Sequence, residues 1–267
     1  MSFWGKKTFC IVTGASKGIG RHFAIEFSCR FADGSVVVLL ARSKAALDYT
    51  KDIIQKCNPN LHVSVTTVDL SHPTIGSYKK ILTEVLEEKK LCQSDFDIAL
   101  LVNNAGTVGD VSQAAKDADN PSKWQEYLAL NVTSCISITA QFLQVFDASS
   151  VRKTVVNITS LSAVTPMKSF AYYCVGKAAR EMYFRVLAEE SPDVDVLNYS
   201  PGPIDTDMVS EVIDNVGHKD MRDMFMNLKD TQKLVTLDQT TKRIVKILED
   251  GKYSSGDHID YYDSKLN

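Results

Sequence analysis

The chain has 267 residues, 44% hydrophobic and 24% charged, a balance that suits one globular α/β core. A formal net charge of -3 gives no electrostatic footprint for nucleic acid or an anionic membrane as partner. No stretch approaches the roughly 20 apolar residues that span a bilayer, and Met1 to Lys7 lacks a signal-peptide core, so the expectation is a cytoplasmic protein.

From the amino end, Thr8 to Thr13 reads as a buried strand, followed by Gly14-Ala-Ser16-Lys17-Gly18-Ile19-Gly20 and a helix to about Phe31. Glycines at the first, fifth and seventh positions let the backbone turn tightly, and free amides at the helix start can meet a pyrophosphate. The continuously apolar run Ser35 to Ala41 is a second strand, covered on both faces, and ends at Arg42. An NAD site usually places Asp or Glu there. None lies between Val36 and Arg42, while Arg42 and Lys17 offer positive charge to a 2'-phosphate, so NADPH is the expected cofactor.

A helix over Lys44 to Lys56 precedes the strand Leu61 to Val68. Asp69 stands at its ligand edge beside Leu70, where it either accepts from an adenine amine or caps the next turn. The helix Thr74 to Lys90 leads to the strand Ile98 to Val102 and Asn103-Asn104-Ala105-Gly106. There the amides can bond across strand ends, and the small residues leave room for a ribose. A loop over Asp110 to Asn120 gives way to a long helix, Ser122 to Val145. Asn131 sits inside it among apolar neighbours and needs partners, either internal or a water relaying protons from Lys177.

The stretch Asn157 to Lys177 brings the reactive groups together. Val155 to Ser160 reads as a strand end and Tyr172 to Leu187 as an amphipathic helix. Tyr173 and Lys177 are four apart and share a face, whereas Tyr172 points about 100° away. As a cation, Lys177 should lower the Tyr173 pKa from its ordinary value of about 10. The phenol can then protonate a carbonyl oxygen held by the Ser160 hydroxyl while a hydride attacks the carbon. Val194 to Tyr199 is a sixth strand, and Pro201-Gly202-Pro203-Ile204 a rigid turn with Thr206 in reach of the cofactor. Residues Asp205 to Val235, with Met208, Met221, Met224 and Met226, read as one or two short helices covering the substrate. A helix over Leu237 to Glu249 and a strand over Gly256 to Tyr262 complete one domain. The six cysteines, Cys10, Cys29, Cys57, Cys92, Cys135 and Cys174, show no ligand-like spacing and are expected to be free thiols, with no metal site.

In order and spacing, Thr13-Gly-x-x-x-Gly18-x-Gly20, Asn103-Asn-Ala-Gly106, Asn131, Ser160, Tyr173-x-x-x-Lys177 and Pro201-Gly-Pro203 resemble the short-chain dehydrogenase/reductase family from about Thr8 to Tyr262. The resemblance implies a Rossmann-like, doubly wound, mainly parallel seven-stranded sheet with helices on both faces. It implies catalytic Ser160, Tyr173, Lys177 and Asn131. The implied cofactor contacts come from Gly14, Ser16, Lys17, Gly18, Ile19 and Gly20; from Arg42, Asp69 and Leu70; from Asn103, Ala105 and Gly106; and from Tyr173, Lys177, Pro201, Gly202, Ile204 and Thr206.

More narrowly, Tyr173-Cys-Val-Gly-Lys-Ala-Ala-Arg180, Pro201-Gly-Pro-Ile-Asp-Thr-Asp-Met208 and His258-Ile-Asp260-Tyr-Tyr-Asp263 resemble the family's pterin reductases. That resemblance implies a homodimer in the cytoplasm using NADP(H), with a pterin carboxylate anchor at Asp260. Implied substrate contacts are Ser160, Leu161, Tyr173, Gly202 and Met208. A general carbonyl or diketone reductase is the alternative.

Overall fold

The computed structural model describes residues 2–263 apart from 73 and 75. Seven strands form one sheet: β1 (Thr8–Thr13), β2 (Val36–Ala41), β3 (His62–Thr67), β4 (Ile98–Asn103), β5 (Arg152–Ile158), β6 (Val194–Ser200) and β7 (His258–Asp260). Their order is β3-β2-β1-β4-β5-β6-β7, and every pairing is parallel. The central strands β1, β2 and β4 are buried throughout, as their uninterrupted apolar sequences require when helices cover both faces. The strand order reverses between β1 and β4, and that switch point opens a crevice beyond their carboxyl ends.

On one face, α1 (Gly18–Ser28), α2 (Lys44–Cys57) and α9 (Leu237–Asp250) bury Phe23, Phe27, Leu47, Ile54, Ile244 and Ile247 against Val12, Leu39, Val102 and Val156. On the other, α3 (Ser77–Lys89), α5 (Ser134–Val145) and α6 (Ala171–Glu190) bury Leu82, Val85, Ile138, Phe142 and Phe184 against Ile11, Val38, Leu101 and Val155. The segment expected to cover the substrate forms α7 (Asp207–Asn215) and α8 (Lys219–Asp230). Their Val209, Val212 and Phe225 close a third apolar cluster with Val108, Val111 and Phe170. Met208 and Met221 pack against that cluster, whereas Met224 and Met226 are exposed and line no apolar interior.

Four expectations are corrected. The long helix is not continuous: α4 (Pro121–Leu128) is joined to α5 through a π-helical turn over Ala129–Thr133, with Asn131 buried inside it. Such one-turn insertions interrupt the regular ladder and are frequent at functional sites. Ser160 lies two residues past β5, where it opens a single 3-10 turn over Leu161–Ala163. Cys29 and Cys57 are not free thiols but a disulfide, with Cα atoms 5.7 Å apart. The ends of α1 and α2 meet because both helices lie on one sheet face, a proximity that linear spacing does not carry. Finally, the 25-residue run Pro121–Val145 is long and apolar enough to cross a bilayer by length and composition. Here it lies along the sheet, its Tyr127, Cys135, Ile138 and Phe142 buried as core.

Candidate active site and cofactor crevice

The glycine turn is built by close approach. Gly14 has φ +68°, and a Cβ there would stand 2.8 Å from Asn104 Nδ2; one on Gly20 would overlap both Asn104 Nδ2 and the Gly14 carbonyl oxygen. Asn104 holds the turn by donating through Nδ2 to Thr13 O at 3.0 Å, and the Thr13 hydroxyl accepts from the amides of Asn104 and Ala105, each at 3.0 Å. The amide bridge between strand ends thus belongs to Asn104. Asn103 turns the other way and donates to Thr139 Oγ1 on α5 at 2.9 Å.

Across the crevice, Thr206 Cγ2 lies 4.0 Å from where a Cβ on Gly18 would stand, so the start of α7 faces the glycine turn. Lys17 Nζ spans the same gap to Asp207 at 2.7 Å, with both side chains exposed. Arg42 is exposed just beyond β2, near the Asp69 carboxylate. Asp69 caps its own turn, accepting from the Ser71 amide at 2.9 Å and hydroxyl at 2.7 Å. These bonds, with the nearby His72 and Arg42, hold its carboxyl below the ordinary range. Leu70, Pro201 and Ile204 are buried, and Gly202 occupies a left-handed conformation at φ +78° against Val235 and Tyr261.

Ser160, Tyr173 and Lys177 converge. The Ser160 hydroxyl accepts from the Ser162 amide at 3.2 Å and lies on the side of the Tyr173 phenol, where it favours the ionised form. Lys177 Nζ stands 5.4 Å from the centre of the Tyr173 ring and donates to the Ile158 carbonyl at 2.6 Å. Burial raises the Tyr173 pKa, and the nearby Ser160 hydroxyl and Arg180 charge offset that only in part. The net direction is opposite to the sequence expectation, because desolvating a phenolate outweighs these contacts. Lys177 is itself driven well below its ordinary range, by burial first and by Arg180 second. Tyr172 turns away as expected. It stacks on Trp124 with centroids 4.0 Å apart and lines a separate cleft of ≈ 520 Å³ with Thr107, Tyr127 and Lys123.

Asn131 is satisfied internally. Its Oδ1 accepts from the Thr107 amide at 2.8 Å, and its Nδ2 donates to Tyr127 O at 2.9 Å, so the side chain fastens the π-helical turn to the loop after β4. Leu161 is exposed beside Ser160. Asp260 is half-buried at the end of β7, where Oδ2 accepts from the Ser200 hydroxyl at 2.6 Å and Oδ1 from the Tyr262 amide at 2.9 Å. Its neighbours serve backbone amides: Asp263 accepts from Asp260 N and Asp257 from Ser254 N. No cluster of metal-binding side chains occurs among the described residues.

Beneath these groups runs a polar row invisible to motif reading. Asn103, Asn157, Asn198 and His258 stand at matched register on β4, β5, β6 and β7. Asn157 donates to Asn198 Oδ1 at 2.8 Å, and Asn198 donates to Gly256 O at 3.0 Å. Two consecutive residues of α6 close the row from above. Arg180 donates to Asn157 Oδ1, Asn103 O and Ala105 O at 3.0, 2.6 and 3.1 Å. Glu181 accepts from the Thr159 hydroxyl at 2.8 Å and contacts His258 Nδ1 at 2.7 Å. The signal in the sequence is their spacing: positions 180 and 181 follow Lys177 by three and four, which puts them on the same helix face.

Residues 8–217 match the model of the short chain dehydrogenase family. The chain is 38% identical to the sepiapterin reductase of Meriones unguiculatus over 256 residues, covering 96% of each chain. It is 38% identical to that of Xenopus tropicalis over 255 residues, covering 95% of this chain and 96% of the relative. A benzil reductase of Bacillus subtilis is 28% identical, covering 90% of this chain and 93% of the relative. In fold the chain is similar to a short chain dehydrogenase/reductase from Saccharomyces cerevisiae, with TM-score 0.80, 24% identity and 97% and 98% of the two chains covered. With its parallel sheet, its glycine crevice and a family match across most of its length, the chain belongs to the short chain dehydrogenases, as an oxidoreductase built on a nicotinamide-dinucleotide fold and related to the sepiapterin reductases.

Proposed function

We propose that the protein is an NADPH-dependent reductase of pterin side-chain carbonyls, of the sepiapterin and 6-pyruvoyl-tetrahydropterin type, in tetrahydrobiopterin synthesis. The observation that carries the reading is the convergence of Ser160, Tyr173 and Lys177 at the mouth of the crevice, within a chain 38% identical to a sepiapterin reductase. The crevice residues fit a nicotinamide dinucleotide: a Cβ on Gly14 or Gly20 would fill the turn, and the exposed Arg42 offers a positive charge just beyond β2 for a 2'-phosphate. The cofactor, when bound, supplies the hydride. Ser160 then holds the carbonyl oxygen, Tyr173 gives it a proton, and Lys177 anchors the ribose and replenishes the phenol. Asp260 anchors the amino-pyrimidine edge of the pterin, since of the three terminal acids it alone is half-buried.

A second reading, a general carbonyl or diketone reductase, is favoured by the benzil reductase relative. Turnover of sepiapterin and a diketone panel, each with NADPH and NADH, separates the two. The expected result is sepiapterin reduction with NADPH preferred, a preference that Arg42→Ala largely removes. Diketone turnover with no sepiapterin reduction would establish the second reading.

A further inference from the structure

Arg180 is 1% exposed, and its three recorded hydrogen bonds go to two carbonyls and an amide oxygen, all neutral. No carboxylate pairs with it among the described residues. The adjacent Glu181 spends its oxygens on Thr159, His258 and Arg185. Seven residues earlier on the same helix face stands Tyr173, and three residues earlier Lys177, a residue 7% exposed whose Nζ is bonded to a carbonyl. The floor of this site therefore holds a buried guanidinium with no carboxylate bonded to it, since the buried Glu181 beside it is turned to other partners. Buried charges are ordinarily bonded to an opposite charge, so a guanidinium held only by neutral oxygens beneath a reactive phenol is an arrangement that packing alone does not explain.

We propose that Arg180 is a permanent cation set beneath the reaction site, which weakens the hold of Tyr173 and Lys177 on their protons and so favours proton delivery to the substrate oxygen. It touches neither substrate nor cofactor and is a positioning residue acting through those two side chains. A bound nicotinamide would supply the hydride to the carbonyl carbon; the Tyr173 O–H bond would break as the new O–H bond forms on the substrate oxygen, Lys177 would return a proton to the phenolate, and solvent would restore the proton to Lys177. Arginine suits the role because its guanidinium stays charged across the whole working range, where a second buried lysine would discharge. The direction follows from a fixed positive charge on the helix face that carries Tyr173 and Lys177. Arg180 acts to lower Tyr173, Lys177 and Tyr127 alike. Among the described residues the other titratable groups near the pair are Cys174 of α6, Tyr127 of α4 and Cys135 of α5, while the Glu181 carboxylate is turned to Thr159, His258 and Arg185.

This inference rests on Tyr173 as the proton donor. Tyrosine and lysine titrate as a coupled pair, and loss of a fixed cation raises both apparent values. The test is the pH dependence of kcat/KM for NADPH-driven carbonyl reduction in the intact protein and in Arg180→Gln and Arg180→Met. The alkaline limb, where the pair loses its first proton, should move up by about one pH unit in both variants. Glutamine keeps amide donors for the carbonyls and is the variant that carries the test if methionine does not fold. An unmoved limb in Arg180→Gln overturns the proposal, and a shift confined to Arg180→Met makes Arg180 a backbone clamp and overturns it equally. Tyr173→Phe, assayed alongside, tells the two readings apart: a fully active Tyr173→Phe defeats the donor assignment, while an inactive one with unshifted Arg180 variants defeats this inference alone.

Discussion

The adjacent tyrosines show how a single helical step separates chemistry from packing. Tyr173 faces Ser160 and Lys177, whereas Tyr172 is sandwiched by Trp124 and Tyr127 with a buried hydroxyl that finds no partner. Tyr173→Phe should fold, bind NADPH and lose nearly all turnover, the defect appearing in kcat because the lost interaction belongs to the transition state. Tyr172→Phe should keep turnover and melt at or above the temperature of the unmodified protein, since it removes an unsatisfied buried group that costs about 1–3 kcal/mol. Steady-state kinetics and thermal melting of both variants check this, and a melting temperature well below that of the unmodified protein for Tyr172→Phe would count against it. The facing of these two residues is legible in the sequence because helical periodicity is local. The ionisation of Tyr173 is not: the Tyr-x-x-x-Lys spacing shows the neighbouring cation, but burial, which wins, depends on the whole fold.

At the scale of elements, α6 is the arm on which the site is mounted, and Glu181 is where it is bolted to β5 and β7 through Thr159 and His258. Burial raises the Glu181 carboxyl, but the bonds from His258 and Thr159 outweigh that and hold it below its ordinary 4.5. A carboxyl depressed in the folded state contributes stability that is fully present above the unfolded value and is lost as pH falls through the folded one. The unmodified protein should therefore lose stability below about pH 4.5 more steeply than Glu181→Gln, whose amide does not titrate there. Chemical denaturation between pH 3 and 7 checks this, and parallel curves would refute it. Element positions are largely readable from the sequence, since β1, β2 and β4 announce themselves as unbroken apolar runs. The π-helical turn at Asn131 is not, because the pattern of Leu128, Leu130 and Val132 fits a plain helix and only contact with Thr107 picks out the wider turn. The Cys29–Cys57 link is hidden for a related reason: it joins helix ends 28 residues apart in sequence that meet only in the assembled layer.

At the scale of the molecule, α6 also presents an outer stripe. Val175, Met182 and Val186 are 47%, 59% and 44% exposed on the side opposite the sheet. We expect a second copy of the chain to cover that stripe, as a homodimer. Met182→Lys should shift the species seen by light scattering from dimer towards monomer while leaving NADPH binding by the monomer intact. A monomeric unmodified protein would end that expectation. The asparagine row has a consequence of a different order. In a sheet with a period of two, sliding one strand by a single residue sends each inward side chain to the opposite face. For β5 that slide would strand Asn157 among the aliphatics around Val156 and take from Arg180 the one bond it makes to that strand, so a neighbouring register is costly. The row is thus a vernier: it admits one alignment of β4, β5, β6 and β7, and every chain that folds at all arrives with Ser160 and Asp260 at their correct heights.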